Sequence, residues 1–458
     1  MVIPKLTTVP IPRYKSWNGD TFSFLNLEHE FAGWNFTDNG MLWAYNQNYF
    51  DWLNQEGMTA EDGCKWIDKF IEELPSNKVG LDPYPIALRS INWIKFFCRF
   101  PETVTKERLD SLYSQVRLLE KKLEYHLLGN HLLEDAYALY IAAAFFRDQK
   151  LQKKATKLLL EQLKEQTLPD GGHYEQSPMY HCILLDRLLD CINIVESQFR
   201  VESQFRVESL KYFASRMLGH LESIVWSDGS IPLLNDAAYG IAPTSEQLFD
   251  YARRLNIQWE AIPMKECGYR KLSNGRMEAF VDVGNVTASY QPGHTHADTF
   301  SFELRIDGKP FVVDTGISTY NKTERRQLER STQAHNTVVV NGQNSSEVWG
   351  GFRVGKRARV KCLVNDTNCI EAKHDGFGKT CWRRFEMQGE SLMVRDGYEG
   401  EAVSHVHLAE SADASHIHIE GAEKVETKPW KYSTEYNRFH EGTALEIHFV
   451  GHLTYTIR

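Results

Sequence analysis

The chain has 458 residues, of which 42% are hydrophobic and 12% aromatic, and a formal net charge of -9. Its length supports two domains with well-buried cores, and its acidic balance argues against a general nucleic-acid binder, so any polyanionic ligand needs a local basic patch. No apolar run reaches the roughly 18 residues of a membrane span. The N-terminus, Met1-Val2-Ile3-Pro4-Lys5, lacks the apolar core of a signal peptide, so the given chain is expected in the cytoplasm, or in the periplasm if a leader has been removed. The eight cysteines include no CxxC pair and are too sparse for a disulfide framework.

From about Gly40 to Ile257 aromatic and aliphatic residues recur at helical spacings, as in Trp43, Tyr45, Tyr49, Trp52 and Leu53. The pattern predicts helices at about 40–55, 59–74, 83–99, 104–126, 130–147, 150–166, 177–199, 207–226 and 244–256. Two identical VESQFR hexamers, 195–200 and 201–206, stand in tandem inside it, and Val207-Glu208-Ser209 begins a third. Six residues is not a whole number of helical turns, so this stretch is either a longer helix with rotated faces or a bulge at a helix junction. Beyond about Cys267 the chain turns to short alternating runs punctuated by Asn-Gly and Asp-Gly, which predict strands at 311–314, 337–340, 357–364 and 444–450. Helical hairpins followed by a run of strands, with no βαβ alternation, predict a helical domain over 1–260 and an antiparallel β-sandwich domain over 261–458.

Chemistry-bearing residues cluster in a few places. Gly293-His294-Thr295-His296-Ala297-Asp298 runs into an alternating segment, 299–305, which predicts a strand with His294 and His296 on one face, at a metal or an active site. Ser177-Pro178 reads as an N-cap followed by proline at the first helical position. Tyr180 then sits in the first turn, where the helix dipole favours its phenolate and makes it a better base. Asn130 and His131 open another helix, with Glu134 one turn after His131 on the same face. A capping asparagine beside a solvated histidine is the alternative. Arg89 and Asn92, three apart on a helix, suit sugar hydroxyls or acids, or an inter-helix contact. Arg326 and Arg330 offer planar forks for carboxylate or sulfate. Arg353, Lys356, Arg357, Arg359 and Lys361 extend a basic strip that is either an acid-binding surface or a solvated strand edge.

Several segments in order resemble the heparinase II/III-like polysaccharide lyases. They are Trp43 to Asp51 (WAYNQNYFD), Pro83-Tyr84-Pro85 with Arg89 and Asn92-Trp93-Ile94, Asn130 to Glu134 (NHLLE), Asp170 to His181 (DGGHYEQSPMYH), Gly293 to Asp298, and Ala334-His335-Asn336-Thr337. The resemblance covers roughly residues 40–345. It implies an incomplete (α/α) toroid followed by a β-sandwich, and β-elimination on a uronic-acid-containing polysaccharide. It assigns Asn130 and His294 to the substrate carboxylate and Tyr180 to proton transfer. His131 becomes a second base for the other C5 epimer, and Tyr320 a second proton donor. Tyr45, Arg89, Asn92, Glu134, Glu175, Arg326 and Arg330 are placed along the substrate. His296, Asp314 and His335 are picked out as ligands of a structural Zn2+, a donor set that suits that ion.

Breaking a 4-linked uronate requires removal of the C5 proton, which is barely acidic while the neighbouring carboxylate is charged. One group must neutralise that carboxylate, a second must take the proton, and a third must protonate the oxygen leaving C4. An amide, imidazoles and a phenol are suitable types. Two other functions compete. A non-catalytic glycan-binding protein of surface-polysaccharide assembly would keep the site without turnover. A zinc hydrolase is suggested by His-x-His-x-Asp, although Thr299 stands where that motif needs another histidine.

Overall fold

The computed structural model describes residues 2–196, 201–290 and 292–458, so the junction of the two hexamers lies outside the described residues. The chain divides into two compact units. One comprises residues 1–167, 182–219 and 240–260; the other comprises 168–181, 220–239 and 261–458. Among the described residues no helix is long and apolar enough to cross a membrane.

The first unit is built of helical hairpins, at nearly the positions the periodicity predicts. Pro83–Arg99 starts with proline in its first turn, behind Asp82 in extended conformation. Gly129–Phe146 is buried on almost every side, as its uniform run of Leu, Ala, Tyr and Phe requires. It ends at Arg147 in the left-handed region, and Asp148 then caps Gln149–Gln166 by accepting from the Leu151 N–H. That second helix buries only a stripe, Leu151, Ala155, Leu158, Leu159 and Leu163, against the first.

A three-stranded antiparallel sheet, Trp17–Asn18, Thr21–Phe24 and Leu27–Glu30, precedes the helices and was not anticipated. Its second turn places Leu25 and Asn26 at positive φ, the two-residue geometry that matches strand twist. The sheet delivers Phe22 into an aromatic cluster with Trp52 and Trp66, at centroid distances of 5.2 and 5.1 Å.

Buried charges also hold this unit together. Arg13 meets Asp186 at 2.7 Å and Lys95 meets Asp190 at 2.8 Å, with every one of these side chains largely buried. Asp135 is fully buried, accepts only the Glu124 N–H through Oδ2, and is pushed up to about 8 by burial and then by Glu124.

The second unit is dominated by an eleven-stranded antiparallel sheet, the β-sandwich element of the predicted fold class. Val360–Asn365, Cys369–His374, Cys381–Gln388 and Ser391–Leu408 lie in sequence. The last of these continues through Leu408 to Lys309–Val312, then to Phe302–Ile306, Met277–Asp282 and Tyr269–Ser273. Ser391–Leu408 also pairs along its length with Arg438–Ile457, with a register shift between Tyr398 and Glu401 that bends the pair. Side chains from these faces, including Phe302, Leu304, Phe385, Val394, Ile447 and Phe449, form one continuous core.

One polar clamp crosses that core. Arg383 grips Asp396 through two bonds of 2.5 and 2.8 Å and donates to the carbonyls of Phe300 and Asn336. Asn336 in turn donates to the carbonyls of Phe302 and Val313. Losing one partner of such a buried pair costs about 3–5 kcal/mol. The clamp fixes the chain immediately after His335.

The raised pKa of Asp135 gives a pH-dependent stability. Its unfolded value lies near 3.8 and its folded value is about 8. Its contribution is therefore complete below the lower value and lost as pH rises through the upper one. Asp135→Asn keeps an acceptor for the Glu124 N–H and removes the titration. Between pH 5 and pH 9 its Tm is expected to fall less than that of the parent, by on the order of a few degrees. Parallel curves for the two proteins would contradict the shift.

Candidate active site

Tyr180 lies where the sequence predicts, in the first turn of Pro178–Glu196. Ser177 caps that turn, its Oγ accepting from the Tyr180 N–H at 3.2 Å and donating to the Asp236 carbonyl at 2.6 Å. The Tyr180 ring stacks on the His294 imidazole at 3.9 Å and 27°, and the Tyr320 hydroxyl donates to the Tyr180 hydroxyl at 3.4 Å. The expected phenolate is corrected: burial, only partly offset by the Tyr320 hydrogen bond, pushes the Tyr180 phenol up, so the resting side chain keeps its proton. A helix-end dipole is too weak to reverse that desolvation.

The segment carrying His294 and His296 is not a strand, because the ladder begins only at Phe302. Its backbone is spent on other partners. The Asp236 N–H donates to the His294 carbonyl, the His296 N–H to Asn235 Oδ1, and the Ala297 N–H to the Arg330 carbonyl. Phe300 takes a positive φ of 70° before the strand starts. Both histidines nevertheless reach one group. Asp236 accepts from His294 Nδ1 at 2.9 Å and from His296 Nε2 at 2.8 Å, while Arg326 forks onto both its oxygens at 2.5 and 2.7 Å.

Against its burial, Arg326 and the two imidazoles hold Asp236 well below the usual carboxylate range. An ionised carboxylate only accepts. His294 therefore carries its proton on Nδ1 and His296 on Nε2. His294 Nε2, the nitrogen not engaged by Asp236, lies 4.0 Å from Glu175 Oε2.

The expectation that Arg326 and Arg330 bind substrate acids is corrected. Both are fully buried. Arg326 is committed to Asp236 and the Gly351 carbonyl, and Arg330 to the carbonyls of Thr295 and Trp349. Tyr320 packs beneath the Arg326 guanidinium, 4.9 Å from ring centroid to Cζ, and Glu175 is buried beside His173 and His294. In the basic strip, Arg359 pairs with Asp375 and Arg357 donates to the carbonyls of Ala288 and Ser289.

The remaining candidates belong to the helical unit. Arg89 is fully buried and spends its donors on Gln115, the Asn48 carbonyl and the Gly80 carbonyl. Asn92 is fully buried and bonds the Tyr49 carbonyl, Asp51 and Asn54. Both side chains brace helices, which replaces their reading as sugar contacts. Glu134 is also fully buried, 3.6 Å from Arg187 Nε, and burial pushes it up to about 8. Asn130 is buried in the first turn of Gly129–Phe146. His131 is partly exposed, with its Nδ1 3.1 Å from Glu124 and its ring against Tyr84. Tyr45 is half-buried and donates to Asp82 at 2.8 Å.

The predicted metal ligands lie in the second unit. His335 Nδ1 sits 2.8 Å from Asp314 Oδ2, and the His335 and His296 rings are 5.3 Å apart. His296 Nδ1, His335 Nε2 and Asp298 Oδ2 are buried without a hydrogen-bond partner. Each histidine has its other nitrogen on a carboxylate, an arrangement that orients metal-bound imidazoles. The donor types suit a divalent cation, with Asp298 beside the predicted set, but no three of these residues are drawn within 4.8 Å of one another.

Among the described residues, three-donor groups already drawn within 4.8 Å of one another lie elsewhere: buried Asp170, His220 and Cys267, and half-buried Glu426, Glu446 and His448. In the first, Asp170 already caps the N–H groups of Gly172, Lys265 and Cys267. In the second, Lys424 and Lys428 already pair with the two carboxylates.

Asp236 and Asp298 are the residues that sequence reasoning missed. Asp298 stands in the quoted motif, and its spacing of two from His296 was the available signal. Asp236 sits in a loop with no periodic pattern and gives none.

Residues 86–256 match the model described as heparinase II/III N-terminus, and residues 256–435 that described as heparinase II/III-like, C-terminal. A heparin-sulfate lyase of Bacteroides stercoris is 26% identical over 250 residues, 48% of this chain and 37% of that protein. A heparin-sulfate lyase of Pedobacter heparinus is 26% identical over 333 residues, 66% of this chain and 48% of that protein. The chain spans less than half the length of either. A crystal structure of heparinase III matches with a TM-score of 0.69 at 15% identity, over 93% of this chain and 78% of that one. At that identity the likeness concerns the fold.

The orphaned donors yield a direct test. Chelator-stripped protein is expected to gain several degrees of Tm on addition of a divalent transition metal, and His296→Ala to lose the gain. A Tm that ignores both treatments would contradict a cation at this cluster.

Proposed function

Because the chain belongs to the heparinase II/III-like family, we propose that it is a polysaccharide lyase that cleaves a uronic-acid-containing polysaccharide by β-elimination. The observation that carries this reading is the Tyr180 phenol stacked on a His294 imidazole whose Nδ1 is held by Asp236. The relatives are named as heparin-sulfate lyases, and a sulfated or unsulfated uronate chain is the substrate class proposed here.

His294 meets the sugar through Nε2. As an imidazolium that keeps its Nδ1–H on Asp236, His294 can donate from Nε2 to the uronate carboxylate and drain charge from it, which acidifies the C5 hydrogen. Tyr180, which rests as a phenol, is suited to protonate the oxygen leaving C4, and Tyr320 beside it can return the proton. For one epimer the C5 proton passes to Tyr180 as its own phenolic proton leaves to the C4 oxygen, so the phenol is restored without Tyr320; for the other epimer His131 takes the C5 proton, and Tyr320 returns one to Tyr180 and is itself reprotonated from solvent. Asn130 is proposed as the amide partner of His294 at the carboxylate; this role and that of His131 rest on the family resemblance. His296 and His335, with Asp314 and Asp298, would hold Zn2+, which when bound would clamp the segment that presents His294.

Incubation with a panel of uronate polysaccharides is expected to release an unsaturated product, read by its ultraviolet absorbance. Tyr180→Phe should lower kcat by about 10²–10⁴-fold with little change in KM. Parent-like turnover by that variant would remove Tyr180 from the mechanism. Binding without any new double bond would favour the glycan-binding alternative.

A further inference from the structure

We propose that the hairpin of Val348–Trp349 and Arg353–Val354 is a sugar-binding platform, with Trp349 stacking on a pyranose ring and Arg353 and Lys356 meeting its carboxylate or sulfate groups. This rests on the lyase reading above and deepens it.

Three side chains from the helix Glu324–Glu329 and its end pin this hairpin. Arg326 donates to the Gly351 carbonyl at 2.9 and 3.2 Å, Gln327 to the Val348 carbonyl at 2.9 Å, and Arg330 to the Trp349 carbonyl at 3.4 Å. The tip turns through Gly350 and Gly351, both at positive φ. It then presents Phe352, whose ring lies 6.1 Å from His294 and 5.1 Å from Tyr320. The same Arg326 that locks Asp236 beneath the histidines therefore fixes the hairpin beside them.

On this rigid support Trp349 is 45% exposed. Its indole edge lies beside Gly355, where an added Cβ would collide with Glu347 Oε2 and fall 3.0 Å from Trp349 Cζ3, so the glycine leaves room for both the carboxylate and the ring. Arg353 pairs directly across from Trp349. Arg353 and Lys356 are exposed, and neither has an acidic side chain within 4.0 Å among the described residues; the nearby Glu347 instead accepts from the Lys356 backbone N–H.

An exposed aromatic ring on a pinned hairpin, beside two exposed cations that no acidic side chain pairs, is arranged for a ligand with an apolar face and anionic rim. An acidic sugar has both. The ring supplies contact area at little entropic cost, and the guanidinium suits a planar carboxylate or a sulfate. In a chain of net charge -9, this is also the local positive surface that such a substrate needs.

The test compares steady-state kinetics on heparan sulfate, and equilibrium binding of the same polymer, for the full chain and its variants. Trp349→Ala is expected to raise KM and Kd about tenfold with kcat nearly unchanged, because the platform holds sugars away from the reacting bond. Trp349→Phe should recover most of the loss, and Arg353→Ala should flatten the salt dependence of binding. An active parent whose KM is unmoved by Trp349→Ala overturns the platform and leaves the lyase reading standing, as does a loss confined to kcat. A parent that neither binds nor cleaves any uronate polysaccharide overturns both.

Discussion

A single buried carboxylate organises this site. Asp236 receives His294, His296 and both arms of Arg326, and its own carbonyl takes the hydroxyl of Ser177, the cap beneath Tyr180. An isolated anion at zero exposure would be strongly disfavoured. Here the guanidinium compensates the charge, and the two imidazole N–H groups complete the acceptor set. The tautomer of each histidine follows from this, and so does which nitrogen of each faces away from Asp236.

That constraint explains why the histidine segment abandons the strand its alternation suggests. A ladder would have spent the backbone of 293–298 on a neighbouring strand and turned successive side chains to opposite faces. Instead Asn235, Asp236 and Arg330 take those backbone groups, and the irregular path lets His294 and His296 approach one carboxylate from different nitrogens. Rigidity comes from the sheet behind it, where Arg383 and Asn336 tie the ends of the first core strands to the residue that follows His335.

Much of the fold was legible because it is periodic. Pro83–Arg99 and Gly129–Phe146 lie within a residue of their predicted bounds, since a proline start and a sustained apolar run are local signals. The strands beyond Cys267 were visible only in part: 311–314, 337–340 and 357–364 overlap observed strands and 444–450 lies inside the twenty-residue Arg438–Ile457, whereas Ser391–Leu408 and Ile417–Glu435 were not singled out. The site was legible only where a motif advertises it. Tyr180, His294 and the cap at Ser177 could be read; Asp236 could not, because a lone aspartate in a loop acquires meaning only through what folds onto it.

Arginine misled for a related reason. Arg89, Arg326 and Arg330 carry the right chemistry for an acidic sugar, yet all three are fully buried and satisfy backbone carbonyls or internal acids and amides. Sequence shows the fork but not which way it points. The tyrosine prediction erred in the same direction, since the dipole is a local feature and the burial that outweighs it is not.

Asp236→Asn is the most direct measurement of this arrangement, because it removes the charge and keeps the shape. If the carboxylate sets the histidines, kcat on a cleaved uronate polysaccharide should fall by on the order of a hundredfold or more with KM changed far less, and the folded variant should bind divalent metal more weakly. Unchanged turnover and metal affinity in a folded Asp236→Asn protein would contradict it.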